Sequence, residues 1–487
     1  MLFNSIEFMI FFPIVTLLYF LLPHKFRWAM LLTASCIFYM FFIPVYILIL
    51  AVTIIIDYFA GIWIEESQGK RKKLYLIISI VSTCLVLIVF KYFNFFNGSF
   101  ASIAKFLNLN YPIEMLNIIL PIGLSFHTFQ SLSYVIEVYR GHQKAERHFG
   151  IYSLYVMFYP QLVAGPIERP QNLLHQFREE HKFEYERVTN GLKLIAWGLF
   201  KKIVIADRLS IFVNKVYGNP TEFDGIVLII ATVFFAFQIY CDFSGYSDIA
   251  IGSSQVMGFK LMDNFKRPYF SKNISEFWKR WHISLSTWFK DYLYISLGGN
   301  RVAKWRWQFN LFFTFTISGL WHGANWTYII WGALNGFYLV FAIWTKEMRE
   351  KIASYIPLFK YKKVRKIWQV GITFSLICFA WIFFRAKNIS EAFYIITHLT
   401  SGMENILSIK YIVESIAMVG VSKSEFIISI AVILFMEFIH LIQRHYKIRH
   451  MLAEKPVWIR WSIYFMVVYG TILFGIFGKN DFIYFQF

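Results

Sequence analysis

Apolar runs of about twenty residues recur from one end of this chain to the other, and they constrain the fold more than any other feature. Of its 487 residues, 57% are hydrophobic and only 16% are charged, whereas about a quarter of the residues of a soluble protein are charged. A helix needs about 20 apolar residues to cross a hydrocarbon core about 30 Å thick. The sequence therefore predicts an all-α polytopic membrane protein.

We expect roughly ten to twelve membrane segments in a single integral membrane domain, residues 1–487. The first run should be a retained span, because no basic residue precedes it as in a secretory signal peptide. The piece Ile151–Ile167 is broken by Pro160 and Pro166, so it could be re-entrant, dipping into the membrane where other protein shields its backbone. The other predicted spans are Ile6–Phe20, Trp28–Phe42, Val45–Ile64, Leu74–Phe90, Asn117–Val138, Leu192–Ile205, Ile226–Tyr240, Trp307–Thr345, Ile367–Phe384, Phe426–Ile442 and Trp461–Phe477.

The charge balance agrees with a membrane protein. A formal net charge of +19 would suggest nucleic-acid binding in a soluble chain, but excess Lys and Arg in cytoplasmic loops explain it here, and we expect no nucleic-acid partner. The basic clusters His24–Arg27 and Lys70–Lys73 should both be cytoplasmic, which places the N-terminus outside, and the nearly neutral Asn97–Glu114 should be an outside loop. The four cysteines are scattered singly, so neither a disulfide framework nor a metal site is predicted.

A histidine lies inside the longest uncharged stretch. Residues 307–345 contain no Asp, Glu, Lys or Arg, and as one helix these 39 residues would be about 58 Å long, far more than one crossing. We expect a break within Ser318–Asn325, where Gly319 and Gly323 flank His322 and permit unusual backbone geometry or close approach. An ionisable group at membrane depth indicates a functional site, although a structural histidine bonded to a neighbouring helix is the alternative. The candidate role of His322 is that of a general base.

A second candidate region runs from Phe277 to Tyr292. Its aromatic and apolar residues recur at spacings of four and three, which predicts an amphipathic helix at the cytoplasmic interface with one buried face. His282 adjoins that face, and taken alone it is more simply a packing residue. The basic residues Lys279 and Arg280 are candidates for contacting cofactor phosphates, although topology and lipid headgroups explain such charges equally well.

The segment Tyr240–Asp248 contains two carboxylates, Asp242 and Asp248. Six residues apart, they do not share one helical face cleanly, and Gly245 could interrupt the helix. We therefore expect them to hold Lys or Arg residues or to cap a helix, and not to act as an acid–base pair.

Together these motifs resemble the membrane-bound O-acyltransferase (MBOAT) superfamily, most closely its alginate O-acetyltransferase branch. The likeness extends over the whole chain. The residues that carry it are Gly165–Arg169, Asp242–Asp248, Phe277–Ser286, Asp291–Ile295, Leu297–Arg301, Gly319–Gly323 and Phe482–Phe487.

The resemblance implies a ring of helices around a thinned centre with a central tunnel. It gives His322 the position of the family's catalytic histidine and His282 that of a second characteristic histidine. It also implies a bacterial cell membrane location, acetyl-CoA as a cytosolic acetyl donor with no permanently bound cofactor, and an acceptor hydroxyl presented from outside. That hydroxyl would belong to an exported polysaccharide or to a partner acetyltransferase that completes the reaction.

Two alternatives stay open. The first is a teichoic-acid D-alanylation subunit, which takes its acyl group from a carrier protein. The second is a transporter for a polar solute or glycan, for which paired repeats with similarly broken helices would be expected. The polysaccharide and the partner proteins are not specified by these motifs.

Overall fold

The architecture is described from a computed structural model covering residues 1–118, 120–163, 165–444, 448–478 and 482–483. Among these residues the chain forms helices and no strand, as predicted. The chain divides into two compact units. Residues 1–195 and 247–262 form the first, and residues 196–246 and 263–486, as far as they are described, form the second.

In the first unit three helices pack on one another: Ile47–Glu66, Gly69–Leu87 and Leu124–Arg140. A π-helical turn, Ile88–Tyr92, joins the second of these to Phe93–Phe106. The remaining α-helices that lie wholly or mainly in this unit are Ile6–Leu21, His24–Met40, Phe149–Met157, Tyr159–Leu162, Pro170–Leu173 and Tyr185–Leu199.

The apolar piece Ile151–Ile167, predicted to be broken, is interrupted after Met157. One helix ends at Met157 and a single-turn helix begins at Tyr159, with Pro160 in its first turn, where a missing N–H is tolerated. Residues 150–163 and 165–168 are all buried. The irregular backbone is therefore shielded by protein, as the prediction required.

In the second unit the helices Lys304–His322 and Trp326–Trp344 form a closely packed hairpin. The helix Lys362–Arg385 packs against the second helix of that hairpin. The long helix Gly225–Met257 contributes its residues 225–246 to this unit and 247–257 to the first. The other α-helices of the second unit are Asp207–Gly218, Ile274–Trp278, Ile283–Trp288, Lys346–Tyr355, Ile389–His398, Ile409–Met418, Lys423–Gln443, Ile448–Ala453 and Val457–Phe474.

Seven helices of the described chain are long and apolar enough to cross a membrane, and Ile6–Leu21 is a shorter apolar helix. The total of ten to twelve membrane segments stays a prediction. Several predicted boundaries were wrong: the helix predicted from Asn117 begins at Leu124, and the one predicted from Leu192 begins at Tyr185. The helical segment from Gly69 continues to Phe106 where a loop was expected from Asn97, and the helix from Gly225 continues beyond Tyr240 to Met257. The seven candidate spans are Pro44–Glu66, Gly69–Phe106, Gly225–Met257, Trp326–Trp344, Lys362–Arg385, Lys423–Gln443 and Val457–Phe474.

Candidate active site

His322 is the last residue of its helix, and it lies at the predicted break. Residues 323–325 connect the two helices of the hairpin, and the next helix begins at Trp326. The side chain of Asn325 caps that helix by accepting the N–H of Thr327 at 3.1 Å. His322 is only 4% exposed, so the hairpin holds a histidine inside the protein at a helix end.

The glycines beside His322 are required by close packing. A Cβ on Gly319 would lie 2.2 Å from the carbonyl oxygen of Tyr328, and a Cβ on Gly323 would lie 2.2 Å from the Tyr328 ring. Gly323 has an extended backbone, φ −162°, which any residue can adopt. Of the two predicted reasons for these glycines, close approach is therefore the one that applies.

Aromatic side chains surround the His322 imidazole. Its ring centroid lies 4.9 Å from that of Trp321, 5.0 Å from that of Trp331 and 5.3 Å from that of Phe384. The Trp331 ring meets the imidazole at an interplanar angle of 90°, an edge-to-face arrangement favoured by aromatic quadrupoles. The surrounding rings restrict the orientation of the imidazole and make its setting apolar.

His282 is held differently, and the continuous helix predicted across it is wrong. The chain forms two short helices, Ile274–Trp278 and Ile283–Trp288, followed by a π-helical turn, Phe289–Tyr294. Between the two helices His282 has φ 42° and ψ 58°, a left-handed conformation that is uncommon for a residue with a side chain.

Asn264 explains the break. Its carbonyl accepts the N–H of Ile283 at 2.9 Å, and its side-chain oxygen accepts the N–H and the hydroxyl of Ser284 at 3.2 and 2.9 Å. In a continuous helix these two N–H groups would bond to carbonyls four residues earlier. Asn264 therefore replaces two helical hydrogen bonds and lets the chain turn at His282.

The predicted buried face is nevertheless correct as a set of residues, because short helical pieces keep nearly the same spacing. Its members are all buried: Phe277, Trp281, Leu285, Trp288 and Tyr292.

His282 packs among aromatic rings, as predicted. It is 1% exposed, its ring meets Phe243 edge-on at 4.4 Å, and it lies nearly parallel to Phe265 at 6.4 Å. Burial lowers the pKa of His282 well below its usual value, since desolvation disfavours the charged imidazolium. His282 is therefore neutral near neutral pH.

A continuous chain of aromatic contacts joins the two histidines within the second unit. From His282 it passes through Phe265 to Trp281, with centroids 5.1 Å apart, and from Trp281 to Trp381, 5.2 Å apart. Trp381 stacks on Trp331 at 5.7 Å, and Trp331 contacts His322. Trp331, Trp381 and Phe384 were not singled out in the sequence, because one aromatic residue among so many carries no individual signal.

The two candidates for phosphate contact lie on the segment between the short helices. Lys279 is exposed, whereas the Arg280 guanidinium is paired with the Glu276 carboxylate at 2.5 Å. Of the two, Lys279 is the more accessible to a phosphate, and its role stays a prediction.

Asp242 does hold a lysine. Its Oδ1 lies 2.8 Å from Nζ of Lys202, which is also 2.8 Å from Oδ1 of Asp207. The predicted interruption at Gly245 was wrong, because the helix is continuous there. A Cβ on Gly245 would lie 2.8 Å from the carbonyl oxygen of Gly198, so this glycine serves close packing. Lys202 was missed, although an ionisable residue inside a predicted span signals a buried partner.

The motif Gly165–Arg169 has a visible structural role in the first unit. Glu168 is fully buried and accepts the N–H of Met262 at 2.5 Å. Burial raises the pKa of the Glu168 carboxyl to about 7. This side chain therefore fixes the end of the 258–262 segment.

Comparisons with known proteins agree with these features. The family described as MBOAT, membrane-bound O-acyltransferase, matches residues 142–386, a range that includes both histidines. A protein of Pseudomonas aeruginosa named probable alginate O-acetylase AlgI is 38% identical over 397 residues, which cover 80% of this chain and 73% of that protein. A peptidoglycan O-acetyltransferase of Helicobacter pylori is 37% identical over 389 residues, or 74% of this chain and 71% of that protein. A teichoic acid D-alanyltransferase of Bacillus subtilis is 28% identical over 294 residues, or 56% of this chain and 70% of that protein. This chain, a multi-pass membrane acyltransferase, belongs to the membrane-bound O-acyltransferase family.

Proposed function

We propose that the protein is an O-acetyltransferase of a bacterial cytoplasmic membrane, which passes an acetyl group from cytosolic acetyl-CoA to a hydroxyl on the outer side. The final product would be an O-acetylated exported or cell-surface polysaccharide, made directly or through an extracytoplasmic partner acetyltransferase. The observation that carries the proposal is the position of His322, buried at the end of a helix and surrounded by aromatic rings.

The chemistry that such a histidine supports is acyl transfer by general base catalysis. The acceptor hydroxyl oxygen attacks the thioester carbonyl carbon, a C–O bond forms, and the C–S bond breaks. The imidazole of His322 takes the proton from the hydroxyl, and the imidazolium so formed gives that proton to the departing thiolate, which restores the neutral imidazole. The surrounding aromatic rings exclude water, which would otherwise hydrolyse the thioester. We assign His282 a supporting catalytic role.

The relatives favour an acetyl group over a D-alanyl group. The match to the named O-acetylase has 38% identity over 80% of this chain, against 28% over 56% for the D-alanyltransferase. These relatives are all named for acyl transfer, which leaves the transporter alternative without support. D-alanyl transfer from a carrier protein remains the second candidate.

The first test is His322→Ala. We expect acetylation to fall by at least about 100-fold, the lower end of what a general base contributes, while the protein stays folded in the membrane. The measurement is base-released acetate from the surface polysaccharide of cells that carry only the variant. Normal acetylation by a well-expressed His322→Ala protein would contradict the assignment.

His127→Ala is the matched control. His127 is a buried histidine of the first unit, 1% exposed, and it is bonded to Thr53 at 2.5 Å. Its loss removes a buried imidazole of the same size, so acetylation per folded molecule should persist.

The donor is tested separately. Membrane vesicles that expose the cytosolic face receive acetyl-CoA labelled in its acetyl group, with or without D-alanyl-charged carrier protein. Label that reaches the polysaccharide fraction and is unaffected by the carrier supports the proposal. Transfer of D-alanine without transfer of labelled acetyl would favour the second candidate.

A further inference from the structure

Two residues beyond the last helix, Phe482 and Ile483, are buried, although that helix is not. No residue of the described helix Val457–Phe474 is buried, yet Phe482 and Ile483 are 0% and 2% exposed. Nη2 of Arg208 donates to the Phe474 carbonyl at 2.6 Å, and the N–H of Ile476 donates to the Ile203 carbonyl at 3.1 Å. These contacts with residues 203–208 therefore hold the chain against the second unit where the last helix ends.

Asp242 holds the backbone of Ile483. Its Oδ2 accepts the N–H of Ile483 at 2.7 Å, while its Oδ1 is paired with Lys202. The side chains of Lys202, Asp207 and Asp242 are only 1–5% exposed. A buried charge that loses its partner is strongly destabilising, so Lys202 fixes the carboxylate and the carboxylate fixes Ile483.

Phe482 reaches His282 through one intervening ring. Its centroid lies 4.2 Å from that of Tyr246 and 5.7 Å from that of Phe243. Phe243 in turn meets the His282 imidazole edge-on at 4.4 Å. Phe482 thus supports the ring against which His282 packs.

We propose that Lys202, Asp242 and Phe482 form a C-terminal clamp that positions His282 for acyl transfer. These three are positioning residues, since they act through Phe243 and Ile483. The proposal rests on the proposed function in one respect, namely that His282 serves the reaction.

The kinetic test compares Phe482→Ala with Phe212→Ala. Phe212 is also buried in the second unit, at 2% exposure, and packs against Phe234 and Phe426. Both changes remove one buried phenyl ring, but only the first removes support from Phe243. With acetyl-CoA as donor, kcat should fall about 10-fold in Phe482→Ala with KM nearly unchanged, since small misplacements of catalytic groups carry such losses. Phe482→Tyr should restore kcat, and Phe212→Ala should keep it.

The position of His282 is read independently by NMR of the detergent-solubilised chain with ¹⁵N-labelled histidines. Its signal is identified by its absence from His282→Gln, and that of His322 by its absence from His322→Ala. The ring of Phe243 lies close enough to shift the His282 signal. We expect Phe482→Ala and Asp242→Asn to move the His282 signal and to leave that of His322 in place. Phe482→Leu serves where the alanine variant does not fold.

An unmoved His282 signal in both variants would overturn the clamp, as would an equal loss of kcat in Phe212→Ala. A moved signal with unchanged kcat would exclude His282 from the reaction and overturn the proposal through its premise. The His322→Ala experiment tests acyl transfer separately, so the two failures are distinguishable.

Discussion

The two histidines are both buried in the second unit, but they are fixed in different ways. His322 ends a regular helix, and Trp321 and Trp331, which contact its ring, belong to the same hairpin. His282 is in a left-handed conformation between short helices. Its neighbours Phe243 and Phe265 lie outside those helices. The His322 site is therefore built mainly by packing within one helical hairpin, whereas the His282 site is built by contacts with segments that are distant in the sequence.

This difference determines how each site should fail. The hairpin depends on a few positions at which backbones touch, so a single methyl group there is a large perturbation. The His282 site depends on several hydrogen bonds and ring contacts, each of modest energy. A single substitution there should therefore lower stability and activity only in part.

The largest effect is expected from Gly332→Ala in the hairpin. The new Cβ would lie 2.3 Å from the Phe315 carbonyl oxygen and 2.9 Å from Cα of Gly319. Both are backbone atoms that cannot rotate away, so the helices must separate, at a cost of about 3 kcal/mol. The unfolding temperature in detergent should fall and acetylation should be lost with it.

Gly371→Ala is the control for that prediction. Gly371 lies within the helix Lys362–Arg385, where no described atom comes within 4 Å of the added Cβ. Alanine there should stabilise the helix by about 0.5–1 kcal/mol. If Gly332→Ala were as stable as Gly371→Ala, the hairpin would not depend on backbone contact.

Many of the helices could be predicted, because the thickness of a bilayer sets the length of the apolar run that crosses it, and such a run is visible in the local sequence. The predicted span Ile367–Phe384 lies within the observed helix Lys362–Arg385. Likewise, the predicted span Phe426–Ile442 lies within Lys423–Gln443. The break at His322 was predicted in the same way, because the uncharged stretch 307–345 is too long for one helix that crosses the membrane once. These predictions required no knowledge of what packs on each segment.

The errors arose where distant partners satisfy polar groups. Asn97 suggested the start of a loop, but its side chain donates to the Glu114 carbonyl at 3.0 Å, and the helix continues. Asp242 sits inside a helix because Lys202 neutralises it. The turn at His282 depends on Asn264, eighteen residues earlier in the chain, and nothing in the local pattern indicates that contact.

A smaller effect is expected from Asn264→Ala. The change leaves the N–H and hydroxyl of Ser284 without their shared acceptor, and a buried group that loses its hydrogen bond costs about 2 kcal/mol. We expect kcat to fall and the NMR signal of His282 to move, while that of His322 stays in place.

Asn310→Ala is the control, because the buried side chain of Asn310 also makes two hydrogen bonds, to the carbonyls of Leu297 and Gly299. It should lower stability to a similar degree and leave the His282 signal in place. Equal movement of that signal in both variants would show that Asn264 has no specific role at His282.

The smallest expected effect is a difference in stability between glycine and alanine variants at the two histidines, which reports the backbone conformation of each position. At His282 the left-handed conformation costs a residue with a Cβ about 1 kcal/mol, so His282→Gly should be more stable than His282→Ala by about that amount. At His322, the end of a regular helix, the order should reverse, because glycine is less stable than alanine in a helix by about 0.5–1 kcal/mol. The measurement is the unfolding temperature of the four variants in one detergent. Each pair lacks the imidazole, so lost ring contacts cancel within a pair and the sign of the difference reports the backbone. If the Gly and Ala variants differed in unfolding temperature with the same sign at both positions, the backbones of the two sites would not differ in the way proposed.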